Sequence, residues 1–317
     1  MVLPTTPAPP VRAKFKQISS VFVGIGRQLH AEVNEDGSSR SSMLRHLLDC
    51  VSYSLLCLDT SAASWAAPSH LQALELLLVH VEDRRPKVRK AAHAALLPVL
   101  KKYHGATPAA SVVVTRTADV SLAALNEGVK ADISRALHVL PFLAEAVPFF
   151  PLEKVRAVVA SILQAIASSS PVLAAQAFQL LSALVSTNAL PPPELEELVN
   201  LLVSAHPAAS GAPEIASAWA SALAASVVSF HASQRAAAIA LLPRVVASLV
   251  ALCESPTPLV ASGAVSALGR VLEHCVDAEL LQAEAGPEAV QLSEVQGYLA
   301  SLLEYRFQRN WANILPG

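Results

Sequence analysis

Three stretches of this 317-residue chain open on proline and then repeat the same four-residue spacing of apolar or small side chains. Counting from Pro86, Pro171 and Pro258, position +2 is Val88, Leu173 and Val260, and position +6 is Ala92, Ala177 and Ala264. Position +10 is Leu96, Leu181 and Leu268, and position +14 is Leu100, Val185 and Leu272. Proline is tolerated in a first helical turn, where its missing N–H breaks no bond. The spaced positions then form one stripe along a helix, with alanine at +6 permitting close approach of a neighbour. Successive copies lie 85 and 87 residues apart, about twice the 40–47-residue period of HEAT and armadillo units. A weaker intermediate copy opens at Pro213, with Ile215, Trp219 and Leu223. Helix pairs of this kind cannot bury their apolar faces alone, so they stack. The expected fold is all-α, a HEAT/armadillo-like α-solenoid of stacked antiparallel helix pairs, with a single globular helical bundle as the alternative.

Composition agrees. Hydrophobic residues make up 53%, charged residues 15% and aromatics 5%, which excludes a disordered chain. The scarcity of aromatics and the 11 glycines argue against a sandwich, a barrel or a glycine-loop nucleotide enzyme. Apolar periodicity predicts helices over 14–33, 40–60, 67–82, 86–103, 118–126, 129–147, 152–168, 172–187, 193–204, 213–230, 233–253, 258–275, 288–304 and 306–315. Only Ser111–Thr115 reads as β-like. Residues 1–13 read as a flexible proline-rich lead-in without the features of a secretory signal. Residues 14–317 read as one continuous solenoid, open at its C-terminal end. Two nearly charge-free stretches, 157–193 and 215–234, approach the length of a membrane span. Prolines interrupt the first and serines dot the second, so a soluble protein is expected. Cys50, Cys57, Cys253 and Cys275 form no CxxC pair and fit inert thiols in a reducing compartment.

Nothing in the sequence assembles a catalytic or metal constellation, and no cofactor is expected. The ten histidines are scattered, and Gly24-Ile-Gly26 lacks the strand–loop–helix context of a phosphate loop. With a net charge of −2, nucleic-acid contact would have to come from a local patch. One stands out. From Arg84 to Arg116 the chain has no acid and carries Arg84, Arg85, Lys87, Lys90, Lys101 and Lys102. At 100° per residue Lys87, Lys90 and Lys101 cluster opposite the buried stripe, with Lys102 at the edge. Arg89 falls toward the buried sector and needs a partner; Asp83 is the expected one, forming a structural ion pair. The exposed lysines admit two readings, a solvated helix face or a phosphate-contacting patch. A second acid-free basic run, Arg12, Lys14, Lys16 and Arg27, favours the patch. Tyr103 is its only aromatic, which suits backbone contact with structured RNA or an acidic protein surface better than base stacking. Near the end, Phe307, Trp311 and Leu315 fall on one apolar packing stripe.

Several of these elements resemble the ribosomal RNA-processing protein 12 family, nucleolar HEAT-repeat proteins. Glu82-Asp-Arg-Arg-Pro-Lys-Val-Arg-Lys-Ala-Ala92 looks like the Pro-Lys-Val-Arg-Lys element near the family's start. Leu302-Leu-Glu-Tyr-Arg-Phe-Gln-Arg-Asn-Trp-Ala-Asn-Ile-Leu-Pro316 is similar to its Tyr-x-Phe/Tyr-Gln-x-x-Trp signature. Between them the order of Leu137–Leu143, Ala177–Leu181, the Trp219 helix and Ala264–Leu268 also corresponds. The resemblance implies a non-enzymatic scaffold that binds RNA and associates with pre-ribosomal particles, their rRNA and assembly proteins. It implies a role in small-subunit precursor processing and export, in concert with a Ran-type GTPase and nuclear pore components, in the nucleolus and nucleus. Family members are several times longer, so the sequence corresponds to an amino-terminal piece or to a shortened paralogue. A karyopherin- or armadillo-type adaptor without RNA binding is the alternative, although the acidic or Asn/Trp groove ladders of such adaptors are not visible.

Overall fold

A computed structural model describes residues 7–31, 37–59, 65, 67–105, 111–168, 170–187, 190–207, 212–282 and 286–314, with side chains of the last helix to Tyr305. Among them no strand occurs. The helices are α1 (Ala8–Ala13), α2 (Phe15–Ala31), α3 (Gly37–Leu56), α4 (Pro68–Leu78), α5 (Pro86–Tyr103), α6 (Ser111–Ala131), α7 (Ile133–Ala146) and α8 (Leu152–Ile166). They continue as α9 (Pro171–Val185), α10 (Pro192–Ser204), α11 (Pro213–Ser233), α12 (Arg235–Cys253), α13 (Pro258–Cys275), the short α14 (Ala278–Leu281) and α15 (Pro287–Ile314). The three proline-opened copies are α5, α9 and α13, and the intermediate copy is α11. Helices α5, α11 and α13 each pack against the helix before them, as the second member of a pair.

Two stretches differ from the sequence reading. Residues 8–13, expected to be flexible, form α1: Val11 is buried, and Arg12 donates from Nε to the Cys57 carbonyl at 3.0 Å and pairs with Asp59 at 2.7 Å. Proline lowers helix propensity in the interior, but here Pro9 and Pro10 sit in the first turn, where it does no harm. The β-like Ser111–Thr115 opens α6 instead. Val113 and Val114 are buried there, and tertiary burial overrides a β-branched preference worth only tenths of a kcal/mol.

The helices group into two compact units, Met1–Ser161 and Ile162–Gly317. The division falls inside α8, so no linker composition marks it in the stretch that the sequence reads as continuous. In the first unit α2, α4 and α6 form one layer and α3, α5 and α7 the other. The α6–α7 hairpin closes at Gly128, where a Cβ would collide with the backbone nitrogen of Ala136. Polar side chains tie α5 to α3: Ser52 Oγ donates to the Ala95 carbonyl at 2.6 Å, and the buried Tyr103 hydroxyl donates to Leu55 at 2.7 Å.

In the second unit α9, α11 and α13 lie side by side, backed by α10, α12 and α15. Helix α11 is buried on nearly every side, which its alanines permit. Trp219 fills the space toward α10 and donates its indole N–H to the Leu202 carbonyl at 3.0 Å. Ser229 Oγ donates to Val185 in α9 at 2.8 Å. Gly263 lets α13 approach Ser217 more closely than any side chain would allow. Helices α11 and α12 are long and apolar enough to cross a bilayer, but 67% and 56% of their apolar windows are buried against other helices. That is the burial of core helices in a stacked array.

Candidate functional site

Helix α5 begins after a tight turn at the end of α4, and Asp83 organises that turn. Its carboxylate accepts from the Arg85 backbone N–H at 2.9 Å, from Arg85 Nη2 at 2.7 Å and from His80 Nδ1 at 2.9 Å. Burial alone would raise this carboxyl; the hydrogen bonds from Arg85 and His80 outweigh it and hold Asp83 well below the usual carboxylate range. The expected Asp83–Arg89 ion pair is therefore not the one formed. Arg85, two residues on, takes the carboxylate, and Arg89 Nη1 donates to the Asp83 backbone carbonyl at 2.7 Å. Arg89 remains structural by a different bond.

The same geometry removes Arg85 from the proposed basic patch. Lys102 leaves it too: its ammonium donates to the Leu56 and Leu58 carbonyls at 2.5 and 2.6 Å, capping the C-terminus of α3. Orphan carbonyls at a helix end favour a cation there. Desolvation lowers the Lys102 pKa. Arg84 is exposed at the mouth of a cleft of about 480 Å³ that also holds Glu82, Asp83, Asp132 and Arg135. Asp132, whose carboxyl is lowered first by its bond from Ser134 and further by Arg84, is the acid that senses its charge.

Lys87, Lys90 and Lys101 remain. All three are exposed, and among the described residues none forms an ion pair. They share the outward face of α5 with Ala94 and Pro98, opposite the buried Val88, Ala92, Leu96 and Val99. From Lys87 to Lys101 the row spans about 21 Å. Of the second basic run, Arg12 is occupied in packing α1, whereas Lys14, Lys16 and Arg27 are exposed. The side chains of Phe307 and Trp311, and all of Leu315, lie outside the described residues.

The sequence reading missed the residues that tie neighbouring pairs together. Arg135, at the start of α7, forms a two-bond pair with Glu82, both at 2.8 Å, and reaches Glu127 at 2.9 Å. In the second unit Arg235, at the start of α12, pairs in the same two-bond fashion with Asp277 at 2.7 and 2.9 Å and reaches Glu288 at 3.0 Å. Glu82–Arg135 and Arg235–Glu288 are both 53 residues apart. A search for opposite charges one 40–47-residue unit apart would have found Arg235–Asp277, 42 residues apart, and Arg116–Glu75, 41 apart, but not these two. Desolvation pushes the Cys275 thiol up to about 12, and Cys57 and Cys253 are buried as well. Among the described residues no group of three or more metal-ligating side chains converges.

Proline-opened helix pairs, stacked in layers and tied by charges between neighbouring pairs, define an α-helical repeat protein of the HEAT type. The chain belongs to the RRP12-like family, whose N-terminal HEAT repeats match residues 1–192. It is 25% identical over 337 residues to an RRP12-like protein of Gallus gallus and 24% identical over 328 residues to one of Homo sapiens, each alignment covering 99% of this chain. An RRP12-like protein of Drosophila melanogaster is 25% identical over 58% of the chain. The chain spans 25% of the length of the first two and 14% of the third. A solved engineered protein aligns with 79% of this chain and 97% of its own at 18% identity and a TM-score of 0.38.

Proposed function

We propose that this chain is a non-catalytic HEAT-repeat scaffold in ribosome biogenesis. In this reading it associates with precursor small-subunit rRNA particles in the nucleolus and nucleus and supports their processing and export, with a Ran-type GTPase and nuclear pore components as further partners. Family membership supports the setting. The observation that carries the contact is the acid-free lysine row of α5, with Lys87, Lys90 and Lys101 held outward on a rigid helix and unpaired among the described residues. Such a row meets phosphates without reading bases, and Tyr103 cannot add stacking because it is buried. Catalysis has no part in this reading.

Affinity purification of the tagged chain at low and moderate salt, reading RNA and protein together, tests it. The expected result is small-subunit precursor rRNA with assembly proteins, more at low salt. Recovery of basic-signal cargo without rRNA would replace it with the adaptor reading.

A further inference from the structure

We propose that the cleft between α2 and α4 is a docking groove for an acidic amphipathic helix of a protein partner, separate from the α5 lysines. The two helices touch at Gly26, where an added Cβ would run into the Leu76 side chain, and at Ser19, whose Oγ donates to the Ser69 carbonyl at 2.8 Å. Beside those contacts their surfaces part into a cleft of about 450 Å³, lined by Val23, Leu76 and Val79 together with Arg27, Gln72, Glu75 and His80. Val79 is 51% exposed, so water meets aliphatic surface that no described part of the chain covers.

Charge names the occupant. Helix α2 has no Asp or Glu. Lys16, Ser20, Val23 and Arg27 follow one another at four-, three- and four-residue steps, which places them in one row along the helix. The two cations are about 16 Å apart, or about three helical turns. Both are exposed, and among the described residues neither is in an ion pair. The acid in the lining, Glu75, is already held by Arg116 Nε at 2.6 Å. Arg27 lines the apolar wall and Lys16 continues the same row of α2 beyond it, so the pair complements a helix that presents apolar residues at i, i+3/i+4 and i+7 with carboxylates flanking them. The wall is aliphatic, so it offers single-stranded RNA no stacking platform.

The test uses the whole chain and a labelled helical peptide of about 16 residues with leucines on one face and glutamates at both flanks. Lysine-flanked and scrambled versions serve as comparisons, and binding is read by fluorescence anisotropy. The glutamate-flanked peptide should bind best. Arg27→Glu should weaken it by about five-fold or more and Val79→Asp by about ten-fold or more. Lys87→Glu with Lys90→Glu should leave it unchanged, which separates this groove from the proposed RNA contact. Both cleft substitutions are at exposed positions, and unchanged circular dichroism would establish that the variants fold. Equal binding of all three peptides, or indifference to both substitutions, overturns the proposal. So would displacement of the peptide by an oligouridylate, which would give the cleft to RNA. Self-association abolished by Val79→Asp in sedimentation would give it to a second copy and overturn the proposal equally.

Discussion

Helices α5 and α11 both open on proline and both form the second member of a HEAT pair, yet they use their surfaces in opposite ways. Helix α5 buries one stripe and turns lysines outward. Helix α11 has no lysine, arginine or aspartate and is alanine and serine on nearly every side, with neighbours on each. The surrounding units follow the same division. The first ties its pairs with charges, Arg135 to Glu82 and Glu127, Arg116 to Glu75, Lys154 to Asp119. The second relies on close approach at small residues and on single donors to backbone carbonyls, with the Arg235 cluster as its charged tie. One repeat pattern therefore supports both an exposed charged face and a purely structural one, depending on what occupies the positions outside the stripe.

The sharpest way to break this contrast is to place a lysine on each helix. Ala224 in α11 is fully buried, and Ala224→Lys should cost several kcal/mol, enough to unfold the second unit, because an unpaired charge has no solvent there. Ala94 in α5 is exposed between the existing lysines. Ala94→Lys should stay within about 0.5 kcal/mol of the wild type in a denaturant titration. Equal costs at the two positions would erase the distinction.

A smaller effect separates two glycines within α13. Gly263→Ala should destabilise by about 1–3 kcal/mol, because the new methyl meets Ser217. Gly269 faces open space, so Gly269→Ala should stabilise by about 0.5–1 kcal/mol through helix propensity. Thermal or chemical denaturation of both variants checks the opposite signs.

These two helices also show how far the sequence could be read. The stripe positions Val88 to Leu100 and their counterparts in α9 and α13 were legible because a four-residue spacing leaves a period that any stacked helix must respect. Helices 86–103 and 258–275 match the structure at both ends. The lysine face was legible for the same reason, since a residue opposite a buried stripe is exposed whatever the neighbours are. Partners were not. Whether Asp83 takes Arg85 or Arg89 depends on the path of a turn, and Lys102 points at the end of α3, more than forty residues away. The docking of α1 was hidden because its single buried residue, Val11, carries no periodicity.

The gentlest probe is pH. The Asp83 carboxyl is held low in the folded chain by Arg85 and His80 against the opposing effect of burial. A depressed carboxyl contributes stability that is complete above its unfolded value of about 4 and is lost as pH falls below it. The stability gap between the wild type and Asp83→Asn should therefore be full at pH 7 and shrink below about pH 4, as read from denaturation midpoints. A gap that is independent of pH would remove the charged role assigned to this turn.

The salt dependence of RNA binding tests the lysine row most directly. Measured on a structured precursor-rRNA fragment, with Lys87, Lys90 and Lys101 all changed to Glu, the slope of log affinity against log salt should fall in magnitude by about 2–3, because the loss of three phosphate contacts removes the counterions they release. Weaker binding at low salt should accompany that change. An unaltered slope and affinity in the triple variant would contradict the assignment of α5 as the phosphate-contacting face.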